Sequence, residues 1–171
     1  VLNVSALGSD CGISHNTARQ WLSVLEASYL IHLVRPHHRN FRKRLVQAPK
    51  LHFTDVGLAA YLLDITHERQ LANHPLRGAL METFVVSEIL KSRLNAGKPS
   101  ALFYFRDNSG HEVDLLVEEA GRVMPVEIQA GQTVSGDSFR GLAYYANLSP
   151  AAGSRGRLVY GGRESYRQGR M

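Results

Sequence analysis

Apolar positions recur every three or four residues through the first part of the chain. Leu7, Ile13, Ala18, Leu22, Leu25 and Leu30 predict two helices broken at Gly12. Ser14 stands where an N-cap belongs, with Thr17 in the place of a capping-box partner, so the second helix is expected over 15–27. Ile13, Ala18, Trp21, Leu22 and Leu25 are assigned to its inward side. Residues 50–54 read as a short strand. A helix starting near Asp55 follows, with Leu58, Tyr61 and Leu62 as its buried stripe. The polar stretch 64–75 marks a boundary, which gives one unit over 1–66, a linker over 67–75 and a second unit over 76–171. In the second unit the pattern predicts a long helix over 78–94 and strands over 101–106, 112–118 and 123–129. A helix over 138–147 and a strand over 157–160 complete an α/β (α+β) layout.

Two helices joined through Gly12-Ile13-Ser14 have the layout of a helix-turn-helix, and a strand after such a pair is how a wing is built. His15, Asn16, Arg19 and Gln20 are left facing outward, and these residue types contact base edges and phosphates. The 171-residue chain carries 20 Lys and Arg against 15 Asp and Glu, a formal charge of +5. Placement matters more than this modest excess. Residues 27–54 contain no acid, yet they hold Arg35, Arg39, Arg42, Lys43, Arg44 and Lys50, and a second arginine-rich stretch covers 155–170. Such stripes suit a phosphate backbone, whose condensed counterions are released on binding; the competing reading is a solvated basic face.

Composition narrows the class further. With 44% hydrophobic and 20% charged residues, disorder is excluded. No apolar run approaches the roughly 20 residues of a membrane helix. The opening Val-Leu-Asn-Val is no secretory leader and lacks an initiator Met, so a fragment of a longer cytoplasmic protein is expected. Cys11, the one cysteine, allows neither an internal disulfide nor a multi-cysteine zinc site, and is assigned to packing. His37 and His38 are adjacent, which is wrong for two ligands on one helix face. Of Tyr144 and Tyr145, one is expected to pack and the other to show its hydroxyl.

The chemistry centres on the hairpin after residue 112. A turn at Ala120-Gly121 places Asp114 opposite Glu127 and Glu112 opposite Gln129. Period-two alternation puts these four on one face and Val113, Leu115, Val117, Val126 and Ile128 on the other. Opposed carboxylates about 5 Å apart repel without a counter-charge. A divalent cation held by Asp114 and Glu127 would supply it and would activate water at a phosphodiester. Glu82 projects between Val85, Val86 and Ile89 of the long helix, a costly place for an acid unless something satisfies it. The alternative is a solvated face, or pairing with Arg106 and Arg122.

Glu82, Glu112-Val113-Asp114 and Glu127-Ile128-Gln129 resemble the PD-(D/E)XK (restriction-endonuclease-like) nuclease fold. Further runs extend the likeness: Arg39-Asn40 through Lys43-Arg44-Leu45-Val46, Lys50-Leu51-His52-Phe53-Thr54-Asp55-Val56-Gly57-Leu58, Arg77-Gly78 through Glu82-Thr83-Phe84-Val85, and Phe105-Arg106-Asp107. Together they resemble the C-terminal half of a family of prokaryotic AAA+-type ATPases, in which a winged helix and a nuclease-like domain follow the ATPase. The resemblance implies nucleic-acid, chiefly DNA, binding through His15, Asn16, Arg19, Gln20, Arg39, Arg42, Lys43, Arg44, Lys50 and Arg106. It also implies a Mg²⁺ or Mn²⁺ site of Glu82, Asp114 and Glu127, and an upstream ATPase partner. Two departures qualify it. No Gly-x-x-x-x-Gly-Lys-Ser/Thr occurs, so ATP is not bound by this chain. Gln129 stands where the pattern has Lys, which implies weakened or lost catalysis, with Arg106 as the substitute cation. The alternative is a non-catalytic module that docks on its ATPase or another partner.

Overall fold

The computed structural model describes residues 1–37, 46–149 and 156–165. Helix α1 (Val4–Asp10) starts where the Asn3 side chain accepts the Ala6 N–H, and α2 (His15–Ala27) where the Ser14 hydroxyl accepts the Thr17 N–H at 3.1 Å. Between them Gly12 takes φ +67°, a left-handed conformation that costs glycine little. Strand β1 (Ile31–Pro36) pairs antiparallel with β2 (Lys50–Phe53), Val34 opposite Lys50. Asp55 then caps α3 (Val56–Leu62) by accepting the Gly57 N–H. The stretch expected to be a linker contains α4 (Glu68–Asn73), where Gln70 Oε1 accepts the Thr66 and His67 N–H groups. The long helix α5 (Arg77–Asn95) follows, then β3 (Leu102–Arg106), β4 (Glu112–Glu119) and β5 (Arg122–Gln129). A 3₁₀ turn (Gly136–Phe139), α6 (Arg140–Leu148) and β6 (Arg157–Tyr160) complete the described chain.

The result is a mixed α+β architecture around one six-stranded sheet of order β2-β1-β3-β4-β5-β6. β1 lies parallel to β3, Arg35 opposite Phe103, so the sheet runs across the boundary expected at 67–75. Two apolar clusters cover its faces. Under α5, Val86 and Leu90 pack with Val34, Leu102, Tyr104, Leu115, Val117 and Val126. Under α6, Leu142 and Tyr145 pack with Phe105, Val113, Leu116 and Val123. Among the described residues no helix is long and apolar enough to cross a membrane.

The hairpin register agrees with the turn reading. Leu115 pairs with Val126 and Glu119 with Arg122, and Ala120 and Gly121 both take positive φ, as a two-residue primed turn requires. The expected alternation fails earlier in β4. Phe103 pairs with Leu116 but Phe105 with Val113, so Asp114 and Leu115 together stand opposite Tyr104. This is a β-bulge. It sends Val113 to the α6 side and Leu115 to the α5 side, against the expectation of one shared apolar face.

Other packing expectations also need correction. Trp21 is 57% exposed and Leu25 37%, because the seven-residue α1 and strand β1 cover only the Ala18 and Leu22 strip of α2. On α3, Ala59 is the buried residue, while Tyr61 and Leu62 face outward. Cys11 is exposed at the end of α1. Leu115→Ala is expected to cost about 2–5 kcal/mol in urea unfolding, through lost transfer energy and a cavity. Trp21→Ala is expected to cost less than about 1 kcal/mol, since its ring already meets water.

Candidate functional site

Lys50 opens β2 and turns its side chain under α5, where only 7% of the residue remains exposed. Its Nζ lies 2.8 Å from Glu82 Oε1, 2.6 Å from Glu112 Oε1 and 3.3 Å from Asp114 Oδ1. Two elements place the partners: α5 presents Glu82, and β4 presents Glu112 as its first residue and Asp114 at its bulge. Because the bulge re-aims Asp114, its Oδ2 accepts the Ile128 N–H of β5 at 3.0 Å while Oδ1 faces Lys50. Glu127 lies close enough to Asp114 for the two carboxyls to interact. Two residues along β2 from Lys50, His52 is also buried. Its Nδ1 lies 3.2 Å from Thr83 Oγ1 and its Nε2 3.8 Å from Glu82 Oε1. At the rim, Arg106 Nη1 is 3.5 Å from Glu112 Oε2.

The electrostatics follow from burial and this geometry. Burial alone would lower the Lys50 pKa, but Glu82, Asp114 and Glu112 outweigh it and raise it, so the ammonium is retained. Burial raises the Glu82 pKa, with Lys50 opposing. Burial and the neighbouring Asp114 push Glu127 up to about 9, so near neutral pH it keeps its proton and shares it with Asp114. Burial and Lys50 lower His52 to about 4, leaving a neutral ring.

The structure thus brings Glu82, Asp114 and Glu127 into one neighbourhood, but not in the expected form. Gln129 stands apart from it: its Nε2 donates to the Thr133 carbonyl at 3.0 Å and its Oε1 accepts the Ser138 hydroxyl at 2.7 Å. Glu127 leans toward α6, where Gly141 makes room; a methyl there would run into Glu127 Oε1 and the Glu112 carbonyl. The residues as placed do not suit a divalent metal. A lysine ammonium sits among the carboxylates, burial and Asp114 favour the neutral form of Glu127, and with the ammonium in place no three His, Cys, Asp or Glu among the described residues are grouped to hold an ion. Lys50, expected at the phosphate-contacting surface, is the cation of this cluster; Arg106, expected to stand in for the motif Lys that Gln129 replaces, lies at the edge, 3.5 Å from Glu112. His15, Asn16, Arg19 and Gln20 are exposed on α2. Arg39, Arg42, Lys43 and Arg44 lie outside the described residues.

Sequence reasoning missed a second buried acid. Asp107, 2% exposed, accepts the N–H groups of Ser109 (2.9 Å) and His111 (3.0 Å) and the Tyr144 hydroxyl (2.7 Å). The His111 ring stacks on Tyr144 at 3.7 Å, fixing α6 to the β3–β4 turn. Burial would raise the Asp107 pKa, but these donors lower it. The run Asp107-Asn108-Ser109-Gly110 has the composition of a turn, and nothing local in it points to the helix tyrosine that completes the site. Of the tyrosine pair, Tyr145 is the one that packs.

An α+β sheet protein with a lysine-centred acid cluster is the class that fold and site define. Over residues 77–171 the chain matches the model of a domain of unknown function, DUF4143, and it belongs to that family. Residues 1–69 match a second domain of unknown function, DUF8612. The chain is similar to two curated relatives, "Uncharacterized protein Rv2008c" of Mycobacterium tuberculosis and "Uncharacterized protein Mb2031c" of Mycobacterium bovis. Each is 33% identical over 129 residues, which is 75% of this chain. The chain spans 28% of the length of each relative. No solved structure matches.

Two outcomes are expected of this geometry. A carboxyl raised from 4.5 to about 9 on folding makes the native state hold a proton that the unfolded state has released. Stability from Glu127 is therefore full at acid pH and declines as pH rises across that window. Glu127→Gln, which cannot ionise and can still donate to Asp114, is expected to flatten this decline. Its melting temperature should exceed the wild type's near pH 9 and not near pH 5. Gly141→Ala is expected to lower the melting temperature and shift the Glu127 titration read by carboxyl NMR, because the added methyl displaces that side chain.

Proposed function

We propose that this chain is the C-terminal region of an AAA+-type ATPase, a winged helix followed by a PD-(D/E)XK-like domain, and that it binds DNA through α2 without cutting it. The observation that carries the DNA reading is α2 itself. It is braced against α1 across a tight glycine turn, and it leaves His15, Asn16, Arg19 and Gln20 exposed on its first two turns. The β1–β2 pair follows α2 in chain order, as wing strands do. The nuclease-like reading is supported by a helix acid, a bulged strand acid and a Glu-x-Gln strand meeting at one end of the sheet. The non-cutting reading is supported by Lys50 standing among the acids and by Gln129 being engaged elsewhere. With Lys50 held by three acids and Gln129 engaged elsewhere, neither is placed to stabilise the charge that develops at a scissile phosphate.

A second reading, docking on the ATPase part or another protein, is favoured by one feature. Trp21, Val24, Leu25 and Tyr29 form an exposed apolar stripe beside the polar face of α2.

Fluorescence anisotropy with duplex DNA at several salt concentrations separates the two. The expected result is a steep log–log slope that Arg19→Ala reduces by about one. No binding, or a slope that is flat and unchanged by Arg19→Ala, sinks the DNA reading and leaves the docking one. With Mn²⁺ present, wild type and Asp114→Ala are both expected to leave the DNA intact; cleavage by the wild type alone would overturn the non-cutting reading.

A further inference from the structure

Three carboxylates from two elements converge on one point under α5, and that point is filled by the end of a side chain from a third element. Three observations bear on what the point is built for. The Nζ distances to Glu82, Glu112 and Asp114 run from 2.6 to 3.3 Å, so the ammonium is centred rather than paired with one acid. Lys50 and His52 are both nearly closed to solvent. His52 Nε2 finds no hydrogen-bond partner among the described residues, although it lies 3.8 Å from Glu82 Oε1 at the wall of the cluster. A buried ring nitrogen left unsatisfied costs free energy that a cation ligand would recover. Oxygen ligands from three carboxylates with an imidazole nitrogen beside them match the donor preference of Mn²⁺.

We propose that Lys50 is a built-in cation, occupying among Glu82, Glu112 and Asp114 the place of a divalent ion, and that a neutral side chain at position 50 turns this cluster into a divalent-cation site. The proposal rests on the reading of the cluster as non-cutting and is independent of DNA contact by α2. It also gives the 1–69 region a role in the chemistry of the 77–171 region: the sheet's edge strand β2 delivers the charge that closes a site whose acids all belong to α5 and β4. Removing the ammonium leaves like charges facing one another in a half-dry space. Three outcomes would relieve that: protonation, unfolding, or capture of a cation. The ordered positions of the acids on helix and sheet, with His52 Nε2 beside Glu82, favour capture.

The test is calorimetric titration of Mn²⁺ into the full chain, as wild type, as Lys50→Met and as Lys50→Met/Asp114→Asn. The expected result is binding by Lys50→Met at one site, tighter than wild type by at least about tenfold and lost in the double variant, because the ion takes over from the missing charge. Equal affinity in wild type and Lys50→Met overturns the proposal, as does the absence of binding by a folded Lys50→Met. If Lys50→Met is unfolded without metal, thermal unfolding is followed as Mn²⁺ is added. Recovery of a cooperative transition supports the proposal by linkage, and no recovery overturns it. Failure here with intact DNA binding leaves the reading of α2 untouched; DNA cleavage by the wild type would instead remove the premise.

Discussion

A buried ammonium with three carboxylates around it is the constraint on which the rest of this molecule turns. An ion cluster shielded from water is a poor source of net stability, because the desolvation of each charge offsets much of the attraction. Its influence lies in what happens when one member is missing, a loss of about 3–5 kcal/mol that leaves the others uncompensated. β2 must therefore place Lys50, α5 must present Glu82, and β4 must bulge at Asp114, all to within hydrogen-bond distance. These demands couple the two family-matched regions, 1–69 and 77–171, more specifically than the apolar packing around them. The parallel pairing of β1 with β3 does the same through the backbone. A boundary visible in sequence and in the family models is thus bridged twice, once by a ladder and once by charge.

Much of this was legible in the residues, and the reasons are local. Ser14 and Asp55 announce helix starts because a side-chain oxygen a few residues away satisfies an otherwise orphaned N–H. The β4–β5 register followed from a two-residue turn at Ala120-Gly121, since turn geometry and strand pairing are set together. Glu82 stood out as an acid inside an apolar stripe. What was not legible depends on distant contacts. The bulge at Asp114 and Leu115 has no signature in the strand's own pattern, and it reverses the face of every residue before it. Lys50 read as one more member of a basic window, because nothing nearby in sequence shows three acids arriving from beyond residue 80. Trp21 read as core because helical spacing identifies an apolar side, not whether a neighbour is wide enough to cover it.

The structure gathers Glu82 and Asp114 around Lys50 together with Glu112, sets Glu127 beside them and leaves Gln129 outside, and the difference from the expected metal site is chemical. Facing carboxylates call for positive charge, and metal is only one source of it. Here the chain supplies its own cation, Asp114 gives one oxygen to a backbone N–H, and Glu127 keeps a proton. Arg77 reinforces the same end of the sheet from outside the cluster, its guanidinium donating to the Ala130 carbonyl just past β5 at 2.7 Å.

The seat of β1 beside β3 bears on how the polypeptide matures. β3 would otherwise be an outer strand of a smaller sheet, with a row of amide and carbonyl groups open to any extended segment it met. β1 and β2 precede it in the chain and are on hand when β3 emerges. A polypeptide severed between α3 and α5 would lose that escort, and its unsheathed flank would invite self-association.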